Sequence, residues 1–127
     1  QAVAASGVGR RIAGIGLSGQ MQGSVSMGQG YALTEGHPTK NGYPVKKLYG
    51  QMGLPKAEDT PRYKLILIED PEPIGPYGAK GIGEPPIVGA APAIHNAIRN
   101  AVGVSINELP MTPVRVLDAL RKARTEQ

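Results

Sequence analysis

The chain has 127 residues, 18 of them Gly and 12 Pro, and carries a formal net charge of +4. That length allows one domain at most, and the absence of cysteine excludes disulfides, cysteine-ligated zinc and iron–sulfur ligation within it. The basic residues are scattered over Arg10-Arg11, Lys46-Lys47 and Arg121-Lys122-Arg124 with no aromatic interleaving, which argues against a nucleic-acid partner, and no apolar run approaches the ~18 residues of a membrane span.

Phe and Trp are absent, so any core lacks its usual large aromatic anchors. So much Gly and Pro makes disorder a competing reading. Against it, apolar residues form ordered runs such as Leu65-Ile66-Leu67-Ile68, with Gly and Pro gathered at their edges. The expectation is a loop-rich globular piece that leans on another chain or on sequence outside it. The chain opens on Gln1 rather than Met, as a processed or partial chain does, and without the basic and apolar regions of a signal peptide. A cytoplasmic setting fits the missing cysteine.

Residues 1–19 are small and Gly-rich and read as a flexible connection, with a short strand around Arg11–Ala13. Within them Gly14-Ile15-Gly16-Leu17-Ser18-Gly19 fits the dinucleotide pattern G-x-G-x-x-G, with Glu35 about twenty residues on. No buried strand precedes the pattern, and Glu35 runs into Gly36-His37-Pro38, so a small Gly-rich nucleotide-binding domain is the weaker alternative. Residues 20–35 read as a helix, because Met21, Val25, Gly28 and Ala32 recur at helical spacing. Its interior glycines, Gly23, Gly28 and Gly30, each cost roughly 1 kcal/mol against Ala, so another element must pack closely on the bare face.

Residues 37–61 read as loop, with turn signals at Asn41-Gly42, Tyr43-Pro44, Gly50 and Gly53. Residues 63–69 form the clearest strand. Its continuous apolar run, Leu65–Ile68, predicts burial on both faces. Residues 70–86 hold five prolines and fit no regular element. A helix is predicted over 90–102, where Ile94, Ala97, Ile98 and Ala101 share a face and Gly103 supplies the stop. A last helix opens with Thr112 as N-cap and Pro113 in the first position.

The segment richest in chemistry is Gly75-Pro76-Tyr77-Gly78-Ala79-Lys80-Gly81-Ile82-Gly83-Glu84-Pro85-Pro86. Gly81 and Gly83 let the backbone approach a bulky group closely. Pro85 biases Glu84 toward an extended conformation. Pro85 and Pro86 also remove the two N–H groups just beyond the carboxylate. Fewer donors stabilise the anion less, which suits a general base. The plainer reading is a solvated surface loop. His37 and His95 lack metal-ligand companions in the sequence, Met21 and Met27 read as packing residues, and Ser24 and Ser26 have no base at a useful spacing.

Gly-Ala-Lys-Gly-Ile-Gly-Glu-Pro-Pro over 78–86 closely resembles the signature of the xanthine dehydrogenase and aldehyde oxidase family of molybdenum hydroxylases. Gly19-Gln20-Met21-Gln22-Gly23 with Gly28-Gln29-Gly30-Tyr31-Ala32-Leu33 is similar to that family's Gly-rich helix. Ala91-Pro92-Ala93-Ile94-His95-Asn96-Ala97-Ile98 and Leu109-Pro110-Met111-Thr112-Pro113 resemble its last two motifs. Four motifs in the family's order span about residues 19–120. Residues 1–18 depart from the family's upstream strand. The stretch Lys47-Leu48-Tyr49-Gly50-Gln51-Met52-Gly53-Leu54-Pro55 looks like the purine-type or nicotinate-type branch.

The resemblance implies an α+β fold: one partial domain over 1–127, the C-terminal portion of a molybdopterin-binding domain in the large subunit. It would contain a Gly-rich helix, a buried strand, a cofactor-facing loop and two C-terminal helices. It implies a molybdopterin-type molybdenum cofactor, plain or as the cytosine dinucleotide, contacted by Gln20 and by the backbone around Lys80, Gly81, Ile82 and Gly83. No side chain of this chain is expected to ligate the metal. Glu84 falls on the family's glutamate, the general base toward a molybdenum-bound hydroxyl whose oxygen attacks an electron-poor carbon while hydride passes to a sulfido ligand. A full molybdenum subunit is several times longer. The implied partners are therefore the remainder of that subunit, iron–sulfur clusters and FAD on other chains or domains, and a small heteroaromatic or aldehyde substrate. The isolated chain is expected to be inactive, and a non-catalytic interaction module with the same fold is the main alternative.

Overall fold

A 20-residue helix, α1 (Gly14–Leu33), organises the structure, a computed structural model that describes residues 1–125. The last two residues of the expected 1–127 domain lie outside the described residues. Before α1 comes strand β1 (Ala2–Gly7). After it come a hairpin, β2 (Thr39–Lys40) and β3 (Tyr43–Pro44), and then strand β4 (Tyr63–Ile68). Three helices follow: α2 (Pro85–Val88), α3 (Ala90–Val102) and α4 (Pro113–Thr125). Single 3₁₀ turns at 49–51, 57–59 and 76–78 punctuate the loops.

Residues 1–19 are not the flexible connection expected of them. Residues 11–13 form no strand. The strand lies at Ala2–Gly7, and the helix begins at Gly14 rather than near residue 20. The G-x-G-x-x-G segment thus forms the first turns of α1. Tertiary burial overrides the poor helix propensity of Gly14, Gly16 and Gly19. Leu17, Met21, Ser24, Gly28 and Ala32 follow one another at three- and four-residue steps, and all five are buried.

Gly28 shows why that face is bare. A Cβ built there would collide with the Ala90 side chain and lie 3.4 Å from Ile87 Cγ1. Helices α2 and α3 can therefore sit directly on α1. Toward the C-terminal end of α1, Ala32, Ile106 and Met111 form a buried cluster, with Leu33, Ile94, Ile98 and Val116 packed around it. The Met111 N–H donates to the Ala32 carbonyl at 2.6 Å, tying the approach to α4 to this cluster.

Strands β1 and β4 pair in parallel, with Ala2 opposite Tyr63 and Gly7 opposite Ile68. The double-sided burial expected for Leu65–Ile68 is not found. Both strands alternate, Tyr63, Leu65 and Leu67 being half-buried while Val3, Ile66 and Ile68 are 61%, 41% and 50% exposed. The continuous apolar run is that of a strand meant to be covered twice; among the described residues only one face has its cover. The Asn41-Gly42 turn has φ values of 52° and 81°, the left-handed pair that a tight two-residue hairpin requires. Gly103 ends α3 at φ 76°, and Thr112 Oγ1 accepts the Arg115 N–H at 3.4 Å as the cap of α4.

The glycines of α1 should therefore differ sharply in what they tolerate. Gly28→Val should lower stability by about 1–3 kcal/mol through overpacking against Ala90. Gly23 has nothing within 4 Å of its built Cβ, so Gly23→Ala should be neutral or stabilising by up to about 1 kcal/mol. Thermal melts of the two variants measure the contrast.

Candidate functional site

The segment 75–84 is fastened to the rest of the chain at both of its ends. At the near end, Gly9 and Ala79 form an isolated antiparallel bridge. The Lys80 N–H donates to the Val8 carbonyl at 3.1 Å, and the Arg10 N–H donates to the Gly78 carbonyl at 2.7 Å. Val8 is almost wholly buried beneath this junction. At the far end, the Ser24 hydroxyl, on the buried face of α1, donates to the Gly83 carbonyl at 3.0 Å. The segment 81–82 spans the gap.

Within that span the backbone is open. No protein acceptor among the described residues reaches the N–H groups of Gly81, Ile82, Gly83 or Glu84. The built Cβ positions of Gly81 and Gly83 meet nothing within 4 Å. Free N–H groups with open space over their Cα atoms are donors that an anionic group can reach. The Lys80 N–H differs from its neighbours, being already engaged by Val8, and its ammonium group pairs with Asp70 at 3.2 Å.

Gln20 belongs to the same neighbourhood. It lies four residues before Ser24 on α1, so the two share one helix face about 6 Å apart along the axis. Ser24 is buried against Gly83, whereas Gln20 is exposed one turn closer to the start of α1. That start has no side-chain cap and no acidic residue in its first turn. Its free N–H groups and the helix dipole both favour negative charge. Nearby, the Arg11 guanidinium lies against Gly14, with Nε 2.7 Å from a Cβ built there.

Glu84 is exposed, and among the described residues no donor or cation reaches its carboxylate. The extended backbone expected of it is not adopted. Its φ of −89° and ψ of −15° are right-handed helical and make it the N-cap of α2. The gain that outweighs the pre-proline preference is a closed turn: the Ile87 N–H donates to the Glu84 carbonyl at 2.9 Å. Pro85 and Pro86 occupy the first two helical positions, where the missing N–H groups leave no helical bond unmade. The stretch 70–86, read as irregular, thus contains a 3₁₀ turn and the start of α2.

A groove of about 530 Å³ runs between β1, α1 and α3, lined by Val3, Val25, Leu33, Pro86 and Ile94 among others. None of Gln20, Lys80, Gly81, Ile82, Gly83 and Glu84 lines it. Gln20, Gly81, Gly83 and Glu84 are exposed, Lys80 and Ile82 half-buried. Apolar residues on either side of 80–84 in the chain are uncovered: Ile74 is 94%, Tyr77 81% and Val88 74% exposed. Ser24 has no base at a useful spacing in the sequence, and its link to the segment before Glu84 has no signal there, because the two residues it joins are 59 positions apart.

No family model matches the chain. Relatives and solved structures do. The xanthine dehydrogenase molybdenum-binding subunit of Escherichia coli O157:H7 is 38% identical over 107 residues, which cover 83% of this chain and 14% of that protein. The aldehyde oxidoreductase of Megalodesulfovibrio gigas is 37% identical over 111 residues, 84% of this chain and 12% of that protein. Among solved structures, quinoline 2-oxidoreductase from Pseudomonas putida 86 superposes with a TM-score of 0.86 and 26% identity, covering 94% of this chain and 16% of that one. The aldehyde oxidoreductase of Desulfovibrio desulfuricans ATCC 27774 superposes with a TM-score of 0.82 and 32% identity, covering 92% and 13%. The chain therefore spans about one seventh of the length of the curated relatives it matches.

Gly9 tests the near fastening. It has φ +64°, and a Cβ there would overlap the Gly78 carbonyl oxygen and lie 2.6 Å from Lys80 N. Gly9→Ala should cost more than about 1 kcal/mol and release the segment 75–83. Amide exchange at Arg10 and Lys80 should then rise by more than tenfold over wild type.

Proposed function

We propose that this chain, a homologue of one segment of the molybdenum-binding subunits of xanthine dehydrogenases and aldehyde oxidoreductases, is the C-terminal part of such a subunit and carries its general base, Glu84. The observation that carries the reading is the arrangement at 81–84. Free N–H groups on a glycine-lined backbone lead directly into a carboxylate that no donor or cation among the described residues reaches.

The residues present fit a molybdopterin group. Gln20, exposed on α1 one turn before Ser24, offers both a donor and an acceptor. Gly81, Ile82 and Gly83 offer backbone donors with open space over their Cα atoms. On this reading the pterin and not this chain provides the metal's ligands. When bound, that group, plain or as the cytosine dinucleotide, supplies the two-electron acceptor and the site at which water-derived oxygen meets the substrate carbon.

The chain's own contribution is to hold the group and to move a proton. The Glu84 carboxylate takes the proton of the attacking hydroxyl onto one of its own oxygens. Such transfer by a positioned base contributes ~10²–10⁴-fold. The substrate class is a heteroaromatic or aldehyde carbon, and the electrons leave through iron–sulfur clusters and flavin on other domains or chains. The remainder of the molybdenum subunit is the partner that covers Val3, Ile66 and Ile68 on the open sheet face and Ile74, Tyr77 and Val88 around the site. Its cover turns the open surface into a pocket, in which a charge acts more strongly than it does in water. Without that cover the isolated chain is inactive.

Glu84→Gln in the assembled enzyme should leave molybdenum and pterin content at the wild-type level and cut turnover by more than ~100-fold. Turnover within a few-fold of wild type would defeat the assignment.

A further inference from the structure

Two polar side chains of α1 have an evident structural task. Ser26 bonds Tyr63 at 2.6 Å, fastening α1 to β4, and Gln29 donates to the Asp59 carbonyl at 2.9 Å. Ser24 is different. It is the one buried polar residue among those described, at 7% exposure, and its partner is not part of a regular element. Its hydroxyl meets the carbonyl of Gly83, the residue immediately before Glu84. That carbonyl belongs to the peptide unit whose N–H is Glu84's own, so the bond fixes the plane from which the Glu84 side chain departs.

The hinge on either side of this bond makes it consequential. Gly81 and Gly83 have no side chain to restrict their φ and ψ, and nothing packs within 4 Å of where their Cβ atoms would be. On the other side Glu84 passes into α2, which rests on α1 through Ile87. Among the described residues, the Ser24 hydroxyl provides the side-chain hydrogen bond that ties the glycine hinge to the helix it faces.

We propose that Ser24 is a positioning residue for the reaction: its hydroxyl, by holding the Gly83 carbonyl, aims the Glu84 carboxylate at the reacting hydroxyl. This rests on the reading of Glu84 as the base. A misplacement of about 1 Å at a reacting group is worth up to about 100-fold in rate, whereas the hydroxyl is buried against the Gly83 carbonyl and should have little influence on binding.

The test compares Ser24→Ala, Ser24→Thr and Glu84→Gln in the assembled enzyme. The assay uses whichever of xanthine, hypoxanthine or an aromatic aldehyde the wild type turns over, with molybdenum and pterin counted per subunit. Ser24→Ala should lower kcat by about 10- to 100-fold, with KM within about twofold of wild type and cofactor content intact. Ser24→Thr, which keeps the hydroxyl, should recover most of the loss. A wild-type kcat for Ser24→Ala would overturn the inference. So would a fall in kcat that merely tracks lost cofactor, or an equal loss in the Ala and Thr variants, since either marks a packing role alone. Near-normal turnover of Glu84→Gln would instead defeat the reading of Glu84 as base, whatever Ser24 does. An inactive Glu84→Gln beside an unaffected Ser24→Ala would defeat only the role of Ser24.

Discussion

The approach of α1 to Ala90 at Gly28 is the constraint from which the remaining geometry follows. A helix crossing at ordinary distance needs about 8–10 Å between axes, set by the side chains between them. With no Cβ at Gly28, and Ala90 opposite, little separates the two backbones. That closeness fixes where α3 begins, and so where the four residues of α2 must lie. It therefore also fixes Glu84, which caps α2. The same helix face carries Ser24 one turn earlier, within reach of the Gly83 carbonyl. Moving α2 and α3 outward by the width of one methyl group would draw Gly83 away from the hydroxyl that holds it. Packing in the core and placement of the carboxylate are thus one constraint seen from two sides.

The sheet follows a different logic. Parallel strands are almost always covered on both faces, yet β1 and β4 form a two-stranded parallel pair with one face open. Val3, Ile66 and Ile68 on that face are expensive to leave in water. Each fully buried residue of this kind is worth about 1.5–3 kcal/mol. The relatives are about seven times longer than the matched segment, and the open face lies where additional chain would have the most to gain by packing. Exposed Ile74, Tyr77 and Val88 extend the same argument to the surroundings of Glu84.

How much of this was legible in the sequence depends on whether local signals or distant contacts decide each element. The turn at Asn41-Gly42 (though not the short strands flanking it, in a stretch that reads as loop), the stop at Gly103 and the cap at Thr112 are local devices. Each appears where the sequence put it. The helix over 20–35 was legible from its period, but its first six residues were not. Gly14, Gly16 and Gly19 argue against helix locally, and only the burial of Leu17 and Met21 by other parts of the chain reverses that. Strand β1 was hidden for a similar reason. Ala-Val-Ala-Ala-Ser-Gly has little β propensity of its own and becomes a strand by pairing with β4, some sixty residues later. At the candidate site, the residue types at 80–86 were readable, because glycine and proline act on their own backbone. The conformation of Glu84 was not, because a single bond from Ile87 outweighs the preference that Pro85 imposes. Ser24 could not be found at all from spacing, since its partner lies 59 residues away.

An exposed carboxylate with no donor among the described residues is an odd thing for a fold to hold so firmly. A glutamate kept for stability would carry a partner, as Asp70 does with Lys80 and Glu108 with Arg115. One kept only for solubility would need no fastening of its backbone. Glu84 has the opposite combination, with its side chain free and its peptide clamped by Ser24 on one side and by the first turn of α2 on the other. Backbone order is costly, about 1–2 kcal/mol per residue fixed, and the two prolines reduce that cost by leaving the chain beyond Glu84 few alternatives. A free carboxylate on a fixed backbone is what proton transfer asks for, since the base must be uncommitted before the reaction and correctly placed when it occurs.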